Sequence, residues 1–128
     1  MAAGPKLDGA GIQKMKTLEE AVTQMQRLHG IVEHYALALK KKNPTMNYGM
    51  QIKRSLPPLV GLLKGQFGMI SDQVAALHLV VSRGSNEETR VRVLREGVGS
   101  IRQALDIAAI RVKERHMEEG DDASGATS

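Results

Sequence analysis

From Leu18 onward the apolar residues Leu18, Ala21, Met25, Leu28, Val32, Tyr35 and Leu39 recur in alternating steps of three and four, which places them along one side of an α-helix. Ile12 and Met15 extend the stripe backwards. It closes on Lys40, Lys41 and Lys42, cations suited to the negative end of a helix dipole, and then on Asn43 and Pro44 as stop signals. A first helix is expected over residues 12–42. A second stripe, Leu56, Val60, Leu63, Phe67, Ile70, Val74, Leu77 and Val81, keeps the same steps until Gly84. Pro57 and Pro58 suit only the first turn of a helix, where the missing N–H has no intrahelical partner anyway. Ser55 is therefore the expected N-cap of one long central helix. A third stripe, Val91, Leu94, Val98, Ile101, Leu105, Ala108 and Val112, follows Ser85 or Asn86 as N-cap, with Glu87 and Glu88 in the first turn, and fades near Glu119.

Helices joined by short breaks run antiparallel. The pattern thus predicts an all-α chain, an elongated up-down-up three-helix bundle, and its heptad period predicts left-handed, coiled-coil-like packing. A four-helix variant with a short helix at residues 46–55 is the alternative, since residues 48–54 have helical character while Asn47 and Gly49 favour a loop. The domain limits expected are a flexible leader over residues 1–11, one helical domain over residues 12–119, and a disordered acidic tail over residues 120–128.

Composition narrows the class further. Phe67, Tyr35 and Tyr48 are the only aromatic residues among the 128, so Leu, Ile, Val, Met and Ala must build the core. Cysteine is absent, which removes disulfides, thiolate metal sites and cysteine nucleophiles together. The first eleven residues have no apolar run after a basic start and do not resemble a secretory signal. An intracellular, cytoplasmic protein is expected. Net charge is +4, but 17 Lys/Arg stand against 9 Asp/Glu up to residue 113, and one Arg against five acids after it. A basic body with an acidic end suits contact with an anionic partner or plain solubility.

Residues 56–82 carry only two formal charges, Lys64 and Asp72, where an amphipathic helix would present a charged outer face. On a single helical wheel Gly61, Gly65, Gly68, Ala75, Ala76 and Leu79 gather opposite the core stripe around Asp72, with Leu62, Met69 and Val80 extending that face. Each glycine inside a helix costs about 1 kcal/mol relative to alanine, so their clustering calls for a close neighbour. Gly61, Gly65, Gly68, Asp72, Ala76, Met69 and Leu62 are accordingly the expected contact of a homo-oligomer, most simply a two-fold dimer, or of another protein's helix. Lys64, Gln66, Asp72, Gln73 and His78 interrupt the segment too often for a membrane span.

No catalytic pattern accompanies these stripes. The residues three positions before His29, His34, His78 and His116 are Gln26, Ile31, Ala75 and Lys113, so the Glu-x-x-His pairs of metal-binding bundles are missing. His29 and Glu33, one turn apart, supply two ligands at most. Neither a Gly-x-Gly-x-x-Gly nor a P-loop pattern occurs. No enzyme activity, metal or cofactor is expected, and the favoured function is a non-catalytic interaction or assembly module, an adaptor that self-associates. Two alternatives stand beside it. One is nucleic-acid binding through Lys40, Lys41, Lys42, Lys53 and Arg54 at one end and Arg92, Arg95 and Arg102 along the last helix. The other is a phosphotransfer-like bundle with His29, two residues after Arg27, as the reacting histidine.

Overall fold

The computed structural model describes residues 6–84 and 86–118. They form four helices, α1 (Gly9–Lys40), α2 (Met46–Lys64), α3 (Gly68–Ser82) and α4 (Glu87–His116), and two two-residue strands, β1 (Lys6–Leu7) and β2 (Met117–Glu118), which pair antiparallel beside the start of α1 and the end of α4. Apart from that short pairing the described residues are all-helical, with one more helix than the favoured three. Ser85 and the acidic tail expected over residues 120–128 lie outside the described residues.

Both long helices follow their stripes. In α1 the buried side is Leu18, Ala21, Met25, Leu28, Val32, Tyr35 and Ala38, with Leu39 half-buried; in α4 it is Val91, Leu94, Val98, Ile101, Leu105 and Val112, with Ala108 half-buried. The limits of α1 differ from the expected 12–42. Asp8 is its N-cap, the carboxylate accepting from the Gly11 N–H at 2.7 Å. Part of the supposed leader is therefore helix, and another part is β1. At the far end Lys42 takes the left-handed conformation (φ 60°), its N–H donating to the Leu39 carbonyl and that of Asn43 to Ala38. This double closure is a Schellman motif built on lysine instead of glycine.

The central helix is two helices. α2 begins at Met46, as the four-helix alternative had it, but runs on through Pro57 and Pro58 to Lys64 instead of ending near 55. Two interior prolines cost on the order of 3 kcal/mol each. Both are exposed, and the buried Ile52, Leu56, Leu59 and Leu63 on the opposite side hold the helix together across them, at about 1.5–3 kcal/mol per buried side chain. The chain then reverses at residues 65–67, where Phe67 leaves helical geometry at φ −135°, ψ 60°. Ser71 ties the hairpin by donating from Oγ to the Val60 carbonyl at 2.9 Å. Leu63 and Ile70, one on each side of the corner, are both buried and Phe67 between them is half-buried.

Packing runs α1 on α2, α2 on α3, α3 on α4 and α4 back on α1, so the four helices close an up-down-up-down ring around one core. Tyr35 stacks on Tyr48 at the α1–α2 end, with ring centroids 6.3 Å apart. Thr17 Oγ1 donates to Gln66 Oε1 near the α2–α3 corner. At 1.5 Å per residue α1 and α4 are about 45–48 Å long and the hairpin helices only about 22–28 Å. The long pair therefore projects beyond the α2–α3 corner.

Candidate functional site

α3 owes its position to α2 and α4, and its inward residues Ile70, Ser71, Val74, Leu77 and Val81 are buried between them. Gly97 lets α4 come close. A β-carbon there would lie 2.8 Å from Leu77 Cδ1, so Leu77 occupies the space that a side chain would need. The remaining side of α3 faces water: Met69 is 86% exposed, Leu79 54% and Val80 41%, with Ala75 and Ala76 exposed beside them. Asp72 is the single charge between Lys64 and Arg83.

This surface departs from the one expected on a single helix. Gly61 belongs to α2, Gly65 caps its C-terminus, and Gly68, Met69, Asp72 and Ala76 belong to the antiparallel α3. The corner between them removes the common face. All of these are exposed, whereas Leu62 is half-buried against the core. A β-carbon at Gly61, Gly65 or Gly68 would meet nothing within 4 Å, and none of the three has positive φ. The chain's own packing thus does not require glycine at these positions.

Of the basic candidates, Lys40, Lys41, Lys42, Lys53, Arg54, Arg92, Arg95 and Arg102 are all exposed. Arg95 is already engaged: its guanidinium grips Glu33 with two hydrogen bonds of 2.6 and 2.9 Å between α4 and α1. That contact, Arg95 first, holds the Glu33 carboxyl below the usual carboxylate range and pushes the guanidinium up. Glu33 is therefore an ion-pair partner, which undoes its pairing with the exposed His29 as metal ligands. Among the described residues no group of three or more His, Cys, Asp or Glu side chains is arranged to hold a metal ion, and no helix is long and apolar enough to cross a membrane.

Two polar clusters that sequence patterning missed pin α1 to α4. At one end Glu87 accepts from the Tyr35 hydroxyl at 3.0 Å and from the Thr45 hydroxyl, while Arg90 Nη1 donates to the Tyr35 oxygen at 3.4 Å. The Thr45 and then the Tyr35 hydrogen bond lower the Glu87 carboxyl, and burial pushes the Tyr35 phenol up. At the other end His116 lies between Asp8 and Lys14, its Nδ1 3.2 Å from Asp8 Oδ1 and its Nε2 3.2 Å from Lys14 Nζ. An ammonium group only donates. Nε2 is thus the acceptor and Nδ1–H donates to Asp8. The Gly11 N–H, more than His116, holds the Asp8 carboxyl below its usual value. Gly11 is required here, because a β-carbon would lie 2.5 Å from His116 Cβ. Asp8 followed by a helix-compatible run was the one legible hint of this end; the His116 contact spans 108 positions and left none.

Compared with known proteins, the chain matches no family model, no curated protein and no solved structure.

Proposed function

We propose that the chain is a non-catalytic assembly module that self-associates through the α2–α3 hairpin, a two-fold dimer being the simplest form. The observation that carries this reading is the outer side of α3, where Met69, Ala75, Ala76, Leu79 and Val80 stand exposed around a single charge. Apolar residues scattered singly over a surface are ordinary, but several on one short helix form a continuous patch that a second protein surface stabilises by excluding water. The open space over Gly61, Gly65 and Gly68 supports the same reading, since it admits a neighbouring backbone at no cost to the chain's own core. A copy of the same chain is the partner, because a two-fold contact lets one patch cover its equal.

Light scattering tests this directly. Wild type is expected at a multiple of 13.9 kDa in the micromolar range, and Leu79→Lys at the monomer mass with unchanged helicity. Gly61→Leu should weaken association, while Gly49→Leu, also exposed to open space but near the other end of α2, should not. A wild type that stays monomeric at high micromolar concentration would refute the proposal.

A further inference from the structure

Where α1 and α4 project past the α2–α3 corner, a cavity of about 540 Å³ opens between the start of α3 and the last third of α4, within the usual size of small-ligand sites. It exists because α4 presents small residues there. One heptad before Ala104, Leu77 of α3 lies over Gly97 of α4; at Ala104 and Ala108 the facing helix is only beginning, and the space stays open. The floor is apolar, made by Phe67, Ile70, Ile107 and Val112 with the two alanines. The rim is basic: Arg111 and Arg115, one turn apart on α4, and Lys14 and His116 opposite. Among the described residues no acidic side chain lines it. Neither arginine forms an ion pair with a described residue. Lys14 is held in place through His116 and Asp8, and its ammonium carries two further N–H donors.

An apolar floor beneath a rim whose charges, Lys14, Arg111 and Arg115, are all positive, with Gln66, Gln73 and His116 neutral between them, is complementary to one kind of molecule. We infer that this cavity binds a free single-chain amphipathic anion, an acyl chain ending in a carboxylate, with the chain over Ala104 and Ala108 and the head group between Arg111, Arg115 and Lys14. The planar guanidinium suits a carboxylate through paired, charge-assisted hydrogen bonds. The apolar lining supplies the favourable transfer of the chain out of water. This site is separable from the self-association surface: Gly68 and Met69 belong to both, whereas Gly61, Gly65, Ala76 and Leu79 lie outside the cavity.

Calorimetry of the full chain with monomeric dodecanoate, below its micelle concentration, tests the inference. One saturable site per chain is expected. Because charge-assisted hydrogen bonds are the stronger kind, the double variant Arg111→Glu, Arg115→Glu should bind at least about tenfold more weakly. Ala108→Leu, which fills the floor, should weaken binding comparably, and 1-dodecanol and acetate, lacking one half of the ligand each, should bind far more weakly than dodecanoate. Because both arginines are exposed, their variant keeps its helicity even if Ala108→Leu does not. No saturable binding, or binding unchanged in the arginine variant, would overturn the assignment. So would binding confined to phosphatidylglycerol vesicles or to an acidic amphipathic peptide, or binding gained only after removal of residues 119–128, which would give the rim to the chain's own acidic end. Leu79→Lys separates the two proposals: it should abolish self-association and leave dodecanoate binding intact.

Discussion

α1 and α4 on one side, and the α2–α3 hairpin on the other, bury equally regular apolar stripes but differ in what surrounds them. The long pair is cross-linked by polar contacts at three levels: Asp8 with His116, Glu33 with Arg95, and Tyr35 with Glu87. Its outer faces carry charges of both signs, among them Glu19, Glu20, Arg27, Arg92, Glu96 and Asp106. The hairpin has one internal polar tie, Ser71 to Val60, and α3 has a single charge on its outer side. Apolar burial is non-directional and would tolerate sliding, whereas directional side-chain hydrogen bonds fix register. The long pair is therefore specified by named contacts, and the hairpin is specified by the groove it fills. With Asp72 as its single charge, the outer side of α3 is the surface proposed above for self-association.

The largest test of this division is truncation of the core on each side. Leu28→Ala in α1 and Leu59→Ala in α2, both fully buried, should each lose about 2–5 kcal/mol, read from urea denaturation with a single transition in both. A separate early transition in Leu59→Ala alone would show that the hairpin detaches while the long pair persists. Glycine substitutions come next. Gly11→Leu, which meets His116, should destabilise by about 1–3 kcal/mol through overpacking. Gly61→Ala, which meets nothing, should stabilise the monomer by about 0.5–1 kcal/mol through helix propensity. If both destabilise alike, the open space over α2 is not open in solution.

Acid should act mainly on the long pair. Asp8, Glu33 and Glu87 all have carboxyls held below their ordinary values. A depressed folded-state value stabilises above the unfolded-state value and the effect is lost as pH falls through the folded one, so the urea midpoint should drop as pH falls below about 4. Glu33→Gln should flatten that drop. At neutral pH it should cost no more than about 1 kcal/mol and less in high salt, because the pair with Arg95 is solvent-exposed. The smallest effect is a gain: Lys42→Gly relieves a left-handed residue and should stabilise by under about 1 kcal/mol, seen as a slightly raised melting temperature.

Most inward residues of α1, α3 and α4 could be read from spacing, because a helix against a flat partner buries one stripe; in α2 the buried Ile52 and Leu59 fall outside the expected stripe and Val60 within it is only half-buried. Leu18, Leu28, Leu94 and Leu105 are where the period puts them. The reversal at residues 65–67 could not be read this way. Leu63, Phe67 and Ile70 keep the step of four and three across the corner, since a hairpin that keeps both arms facing one core looks, in one dimension, like an unbroken helix. Glycine at 65 and 68 was legible as weakness but equally as close packing, and only the position of neighbouring atoms separates the two.

By itself, then, the order of residues determined an all-helical chain and which side of α1, α3 and α4 turns inward, because these follow from forces acting over three or four neighbours. Tertiary structure alone decided that there are four helices, that α2 passes through two prolines, and that Glu33 serves Arg95 instead of His29. It also decided that Lys14, Arg111, Arg115 and His116 stand around one cavity. Those outcomes depend on which distant surfaces meet, and the free energy of such meetings is set by complementary shape and charge between segments as far as 108 residues apart, which no local period records.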